Sequence, residues 1–248
     1  VIGIGMYTMA RGGSQTGGIG IGYYAGRNNV GDYNIYLGYE SGYGTGSSPY
    51  ANGDNNIGLG YRSLYSVTTA GSIIAIGRES ATALTTGSEH IAIGYHALKA
   101  ITSNNGCVAV GYEAGLKTTG QKNTVVGSGA FKEITSGQYN VGLGYFAGDN
   151  LQTGDNNIII GYYAAASSAS VSNEITLGDS NITKFRLPGI NLSIDSDGVK
   201  FNGDTAAANG LDDYEEGSFT PVLYGSSTGS SSNSVNGNGA YVKVGNHV

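Results

Sequence analysis

The chain has 248 residues, of which 44 are glycine and 19 tyrosine, and only 12% carry a charge. The net charge of −6 offers no basic patch to release counterions from phosphate, which argues against a nucleic-acid partner. Glycine does not recur at every third position, which excludes collagen, and a hydrophobic share of 39% is too high for a disordered linker.

A short motif recurs from the first residue to about residue 181: aliphatic, small, aliphatic, glycine and often tyrosine. The glycine after the second aliphatic residue is called the anchor here, and successive anchors lie 16 or 17 residues apart, except for one interval of 22 with an insertion at residues 46–53. A unit this short cannot bury its own hydrophobic face, so eleven copies are predicted to stack as coils. The anchors are Gly5, Gly22, Gly38, Gly60, Gly77, Gly94, Gly111, Gly127, Gly144, Gly161 and Gly178.

The alternation inside the motif predicts a β-strand with both aliphatic side chains on one face. We expect these side chains to form the structural core, and the bare face of small residues to lie closest to another chain or packed layer. An asparagine opens five copies of the motif and is expected to bond neighbouring backbone or to stack with its copies. The predicted core residues are Ile57, Leu59, Ile74, Ile76, Ile91, Ile93, Val108, Val110, Val141, Leu143, Ile158 and Ile160.

The pattern changes after the last anchor. Residues 182–202 are predicted to form a capping β-hairpin module, with Asp197-Gly198 as a hairpin turn. Residues 203–210 are interpreted as a linker, and residues 211–248 as the start of a β-domain that continues beyond Val248. The predicted fold class is therefore all-β: stacked parallel β-roll or β-solenoid-like repeats in residues 1–181, followed by a hairpin cap and part of a small domain.

Four repeat segments carry a resemblance: NNIGLGYRSL, EHIAIGYHAL, CVAVGYEAG and NNIIIGYYA. They resemble the β-roll repeats of trimeric autotransporter adhesin heads and, more closely, the longer repeats of bacteriophage tail fibres. The segment LDDYEEGSFTPVLYG, residues 211–225, also resembles the entry of a small domain found in such fibres. The resemblance implies a homotrimer attached to a virion.

Candidate chemistry is sparse and falls on the repeat background. His90 and His96, with Ser88 and Glu89 nearby, are interpreted as solvent-facing loop positions of one repeat, and Cys107 as an incidental thiol. The GIGIG and GLGY segments recur on the repeat period and open no helix, so they do not indicate a dinucleotide site. We therefore predict no enzyme, no metal site and no cofactor. The acidic residues Asp195, Asp197, Asp212, Asp213, Glu215 and Glu216 are interpreted as a turn and a solvated linker, with calcium binding and carboxylate catalysis as weaker alternatives.

One column of aromatic residues remains as a functional candidate. The tyrosines after the anchors are predicted to stack and stiffen the edge of the coils, or alternatively to contact glycans: Tyr61, Tyr95, Tyr112, Tyr145 and Tyr162.

The function expected from these features is mechanical: the shaft of a virion fibre that projects a receptor-binding tip. Its partners would be two further copies, other tail or fibre proteins, and a host-surface glycan or protein receptor, with no nucleic acid and no membrane. The longest apolar run, residues 158–166, is far shorter than the roughly 20 residues of a spanning helix. The alternatives are the head of a bacterial surface adhesin or a carbohydrate-binding fibre region.

Overall fold

The computed structural model describes residues 1–10, 15–44, 50–187, 192–195, 198–200, 214–219 and 239–244. Every regular element in these ranges is a β-strand, and within them no helix has the length and apolarity needed to cross a membrane. The strands are β1 (Ile2–Ile4), β2 (Ile19–Ile21), β3 (Ile35–Leu37), β4 (Ile57–Leu59), β5 (Ile74–Ile76), β6 (Ile91–Ile93), β7 (Val108–Val110), β8 (Thr124–Val126), β9 (Val141–Leu143), β10 (Ile158–Ile160), β11 (Ile175–Leu177), β12 (Lys184–Leu187), β13 (Leu192–Asp195), β14 (Gly198–Lys200), β15 (Tyr214–Phe219) and β16 (Gly239–Val244).

The first eleven strands form one parallel sheet in sequence order, with every motif paired to the next. Ile74, Ala75 and Ile76 of β5, for example, lie opposite Ile91, Ala92 and Ile93 of β6. Each repeat is therefore one coil of a β-solenoid, and the prediction of an all-β stack of about 17-residue repeats is confirmed. Within the long interval, Ala51 pairs with Asn29 in a parallel bridge, so Ala51 lies in the stack.

The anchor glycines are required by the stacking. From Gly5 to Gly161 their φ angles lie between +127° and +140°, where residues with a Cβ are strongly disfavoured. A Cβ added to Gly60 would also lie 2.6 Å from the carbonyl oxygen of Gly77, the anchor of the next coil. The short repeat distance between coils thus depends on a column without side chains.

Outside the strands, the described parts of the coils are turns that contain left-handed residues. The second residue after the anchor adopts φ near +50° in most coils, as in Glu40 and Arg62, and the fifth residue before it does the same, as in Asn55. Hydrogen bonds to adjacent coils compensate this strain: the amide of Glu40 donates to the carbonyl of Tyr23, for example. The turns therefore continue the intercoil hydrogen bonding beyond the three-residue strands.

The core lies on the opposite face of the sheet from the one the sequence predicts. The small middle residues of the strands, such as Ala75, Ala92 and Ala109, are fully buried and pack against residues from the turns, including Leu98 and Ile101. The predicted core residues point outward instead. Leu143 and Ile158 are exposed, and the others are half-buried: Ile57, Leu59, Ile74, Ile76, Ile91, Ile93, Val108, Val110, Val141 and Ile160.

The physical reason for this reversal is the narrow width of the coil. A 17-residue loop leaves little room inside, so glycine or alanine faces inward, and the bulk of the core comes from the turns. Where a large side chain lies inside the coil, the positions next to it are glycines. A Cβ on Gly142 would lie 2.8 Å from the ring of Phe131, and one on Gly148 would collide with the same ring. Tyr36 is likewise accommodated by Gly42.

The chain divides into two compact units, Val1–Asp179 and Ser180–Val248. In the second, β12, β13 and β14 form an antiparallel sheet, with Asp195 opposite Gly198 where the sequence predicts a hairpin. Gly198 is thus the first residue of a strand, while Asp197 and the predicted linker at 203–210 lie outside the described residues. The strands β15 and β16 pair antiparallel within the predicted β-domain.

Candidate functional site

Two columns of aliphatic side chains run along the outer face of the sheet, and we call them the aliphatic strip. They are the first and third residues of β1 to β11, and in most coils both are half-buried or exposed. Of the 22 positions, 21 hold Ile, Val or Leu, and the exception is Thr124. At a strand spacing of about 4.8 Å and about 3.3 Å per residue, the strip covers roughly 500 Å². The largest apolar patch on a typical monomer is about 300–600 Å² and is often functional.

The tyrosines that follow the anchors form a second column, the tyrosine column. Rings in adjacent coils stack nearly parallel: Tyr39 and Tyr61 have centroids 5.3 Å apart, and Tyr95 and Tyr112 have centroids 5.1 Å apart. Within these stacks each ring covers a face of its neighbour, so mainly edges and hydroxyls meet solvent. Of the five predicted tyrosines, Tyr95 stacks on Tyr112 and Tyr145 stacks on Tyr162, while Tyr61 stacks on Tyr39.

The next column alternates carboxylates with an arginine and a histidine. In-register stacking would place equal charges one coil apart, which is unfavourable. The order here is Glu40, Arg62, Glu79, His96 and Glu113. Nε of Arg62 donates to Glu40 at 2.7 Å, and Nε2 of His96 lies 3.1 Å from the carboxylate of Glu79. This alternation places a hydrogen-bonding partner, rather than a second carboxylate, next to each carboxylate.

Lysines from the turns complete these ion pairs. The ammonium of Lys99 lies 2.8 Å from Glu79, and that of Lys132 lies 2.7 Å from Glu113. The pKa values of both glutamates are lowered, in each case mainly by the hydrogen bond from the lysine. Both carboxylates therefore stay ionised and bound, which leaves neither one available as a general acid.

A column of buried asparagines lies inside the coil, directly before five of the strands, at residues 34, 56, 123, 140 and 157. The side-chain oxygen of Asn140 accepts the amide N–H of Asn157 at 2.8 Å, and its side-chain nitrogen donates to the carbonyl of Gly154 at 2.9 Å. Asn123 makes the same pair of bonds, to Asn140 and Gly137. The predicted bonding of the motif asparagines to neighbouring backbone is confirmed, and each one links adjacent coils.

His90 occupies this column, and the prediction that it faces solvent is wrong. Its Nε2 donates to the carbonyl of Asn104 at 2.5 Å and its Nδ1 accepts the amide N–H of Cys107 at 3.1 Å. The two ring nitrogens thus make the same two bonds as the side-chain amide of asparagine in other coils. Burial lowers the pKa of His90, consistent with the neutral ring that these bonds require. Sequence reasoning missed this role, although His90 and Cys107 share the alignment position of Asn123.

The catalytic candidates do not converge. His90 is buried, whereas His96 lies on the outside against Glu79 and Lys99. Cys107 is buried as well, and burial raises the pKa of its thiol. Within the described ranges no group of three or more histidine, cysteine, aspartate or glutamate side chains is placed to hold a metal ion. The acidic candidates from Asp195 to Glu216 lie outside the part of the chain whose side chains are described.

No family model, no curated protein and no solved structure matches this chain. Its function must therefore be inferred from its own surfaces. The two prominent ones are the aliphatic strip and the tyrosine column, and both run from coil to coil. Such surfaces suit contact with another elongated, repetitive molecule better than the binding of a small substrate.

Proposed function

We propose that this chain is the shaft of a homotrimeric fibre, of the kind that projects a receptor-binding tip from a virion. The observation that carries the proposal is the aliphatic strip. An apolar surface that repeats at every coil, with a single polar exception, matches a partner with the same repeat along its whole length. A further copy of the chain has that repeat.

The size of the strip is compatible with a protein interface. Its roughly 500 Å² exceed half of the roughly 800 Å² that each partner buries in a standard interface. Columns that flank the strip would supply the remainder. Burial of β-branched and leucine side chains would also remove the large apolar exposure that the isolated coil stack presents to water.

The interior of the coils supports a mechanical role. Each coil is joined to the next by strand pairing, by turn hydrogen bonds such as that from Gly42 to Ser63, and by the asparagine column. The ion pair of Arg62 with Glu40 and the stacked rings of Tyr95 and Tyr112 also connect different coils. Bending the stack would strain all of these contacts together, which suits a stiff spacer.

The test is the state of association of the full chain. Sedimentation equilibrium should give three copies per particle. Ile93→Lys, in the middle of the strip, should dissociate the particle because it places a charge in a buried apolar contact. Ser103→Lys is the matched control, since Ser103 is exposed in a turn away from the strand.

Far-ultraviolet circular dichroism separates dissociation from unfolding. Ile93→Lys should keep the β spectrum while losing mass, whereas Ser103→Lys should keep both. A wild-type chain that sediments as a monomer would refute the assembly, and an Ile93→Lys variant that associates like the wild type would refute the role of the strip. Attachment to a virion is then tested by locating the coil stack in a density map of the intact virion.

A further inference from the structure

The tyrosine column is interrupted twice between Tyr61 and Tyr162. In the coil of Gly77 the position after the anchor is Arg78, and in the coil of Gly127 it is Ser128. The two interruptions differ in what fills them, and this difference carries an inference that does not depend on the fibre proposal.

The first interruption is filled by the chain itself. The guanidinium carbon of Arg78 lies 5.2 Å from the ring centroid of Tyr61 and 6.0 Å from that of Tyr95. A planar cation therefore occupies the place of the missing ring, in contact with the π faces on both sides. Arg78 covers one face of the Tyr95 ring and Tyr112 covers the other. Tyr95 is half-buried, and little of either ring face meets solvent.

The second interruption has no side chain of comparable size. Tyr112 stacks on Tyr95 on its far side, and Tyr145 stacks on Tyr162 at 5.6 Å on its own far side. Ser128 stands between them, and Tyr112 keeps 54% of its surface exposed. We call this space the Ser128 slot.

The dimensions of the slot follow from the step of the column. Two steps of 5.1 Å separate coils that are two apart, so the facing rings are about 10 Å apart from centroid to centroid. That distance holds one planar group in contact with both faces, as the coil of Arg78 shows. Beside the slot, the ring of Phe146 lies over Gly129 and occupies the next column. A Cβ added to Gly129 would lie 2.7 Å from this ring.

The charged side chains beside the slot form an ion pair. Glu113 follows Tyr112 directly and accepts a hydrogen bond from Lys132 at 2.7 Å. In the filled coil the corresponding residue is Arg62, and it does not prevent a guanidinium from stacking there. A second guanidinium at the Ser128 slot would lie beside the Glu113–Lys132 pair, so its attraction would come from the two ring faces and not from a free carboxylate.

We propose that the Ser128 slot binds the guanidinium group of an arginine side chain on a partner protein. The cation would stack between Tyr112 and Tyr145 as Arg78 stacks between Tyr61 and Tyr95. A single such contact is weak when it is exposed to solvent, so affinity in the millimolar range is expected for an isolated arginine, and a partner would add contacts outside the slot.

The test uses the full chain with isotope-labelled tyrosine rings, titrated with N-acetyl-L-arginine amide and followed by nuclear magnetic resonance. Saturable shifts should appear at Tyr112 and Tyr145, assigned through their Tyr→Phe variants. The lysine analogue carries the same charge without the planar group and should bind at least tenfold more weakly. Methyl glucoside tests a sugar ring as the occupant and should leave both rings unshifted.

Two substitutions decide the location. Ser128→Tyr completes the column and should lower the affinity at least tenfold. Arg78→Ser should open a second slot between Tyr61 and Tyr95 and raise the number of sites per chain from one to two. The proposal is overturned if the wild type shows no saturable shift, if Ser128→Tyr binds like the wild type, if Arg78→Ser keeps a single site, or if the glucoside or the lysine analogue shifts the two rings as strongly as arginine.

Discussion

The two faces of the long parallel sheet follow opposite rules. On the inner face the middle strand residue varies from glycine to tyrosine, as Gly58, Tyr36 and Ile159 show, although this face is the buried one. On the outer face 21 of 22 positions are Ile, Val or Leu, although this face meets solvent in the isolated coil stack. Proteins usually vary more on exposed surfaces than in the core.

The difference indicates where each face finds its complement. The inner face packs against turns of the same chain, so a large residue in one coil is offset by glycines nearby, as Phe131 is by Gly142 and Gly148. The outer face has no such partner within its coil. A partner whose own surface repeats at the same coil spacing would require a uniform outer face. In the proposed fibre, that partner is another copy of the chain. Substitutions inside should therefore change stability, and substitutions outside should change assembly.

The largest effect is expected at an anchor glycine, which serves both faces because it fixes the spacing of the coils. Gly60→Ala places a Cβ 2.6 Å from the carbonyl oxygen of Gly77 at a φ of +130°, so the free energy of unfolding should fall by more than about 4 kcal/mol. Gly106→Asn is the control, because Gly106 has φ +71° in a column where Asn55 and Asn156 adopt similar angles. Denaturant unfolding that gave equal losses for both variants would contradict this explanation.

The second prediction sets the two faces against each other directly. Phe131→Ala removes a fully buried ring from the interior and should lower the free energy of unfolding by about 3–5 kcal/mol through the cavity it leaves. Ile93→Ala on the aliphatic strip should leave the fold of the coil intact and instead weaken association. Thermal unfolding and sedimentation, measured on both variants, should separate in this way. The comparison of the faces fails if Phe131→Ala mainly dissociates the particle or Ile93→Ala mainly unfolds the coils.

The spacing of the anchors was enough to predict the coil, its length and its parallel pairing, because a strict period of 16 or 17 residues allows few other stacks. The facing of the strands was not predictable in the same way. The alternation of large and small residues predicts that Ile91 and Ile93 share one face and that Ala92 lies on the other. It does not determine which face is buried. That depends on the width of the coil, which is set by left-handed turn residues such as Arg62 and Leu98, and their residue types give no sign of this conformation.

The candidate site shows the same division. The stacking of the tyrosine column follows from the period, since residues at equal positions must lie over one another. The burial of His90 does not follow from residue type, because histidine is common on surfaces. Its position in the alignment was the available signal: it replaces an asparagine that bonds to backbone in other coils.

The third prediction concerns the buried asparagines. Asn140→Leu keeps a similar volume but leaves the amide of Asn157 and the carbonyl of Gly154 without their bonds, so the free energy of unfolding should fall by about 2–4 kcal/mol. Cys107→Asn is the converse change, since it introduces a stronger donor and acceptor into the same column. It should raise the midpoint of thermal unfolding. If Asn140→Leu were as stable as the wild type, the column would be a consequence of stacking and not a source of stability.

The smallest effect is a dependence on pH that arises at His90. Its neutral ring accepts an amide N–H at Nδ1, so a second ring proton has no place in the folded chain, and burial lowers the pKa of His90. The folded pKa lies below the unfolded value of about 6.5, so the unfolded chain binds the proton first as the pH falls. The contribution of His90 to stability is therefore complete above about pH 6.5 and declines below it, towards the lowered folded pKa.

Two other groups act near this pH range and must be separated from His90. Glu89 favours the charged ring and so opposes the decline, whereas the pKa of His96 is lowered by burial and by Lys99, which adds to it. His90→Asn restores the asparagine of the column without a titrating group, and Glu89 and His96 remain unchanged. The midpoint of thermal unfolding, measured from pH 7.5 to about pH 5, should fall more in the wild type than in His90→Asn. Equal slopes in the two proteins would show that His90 accepts its proton without loss of the bond to Cys107.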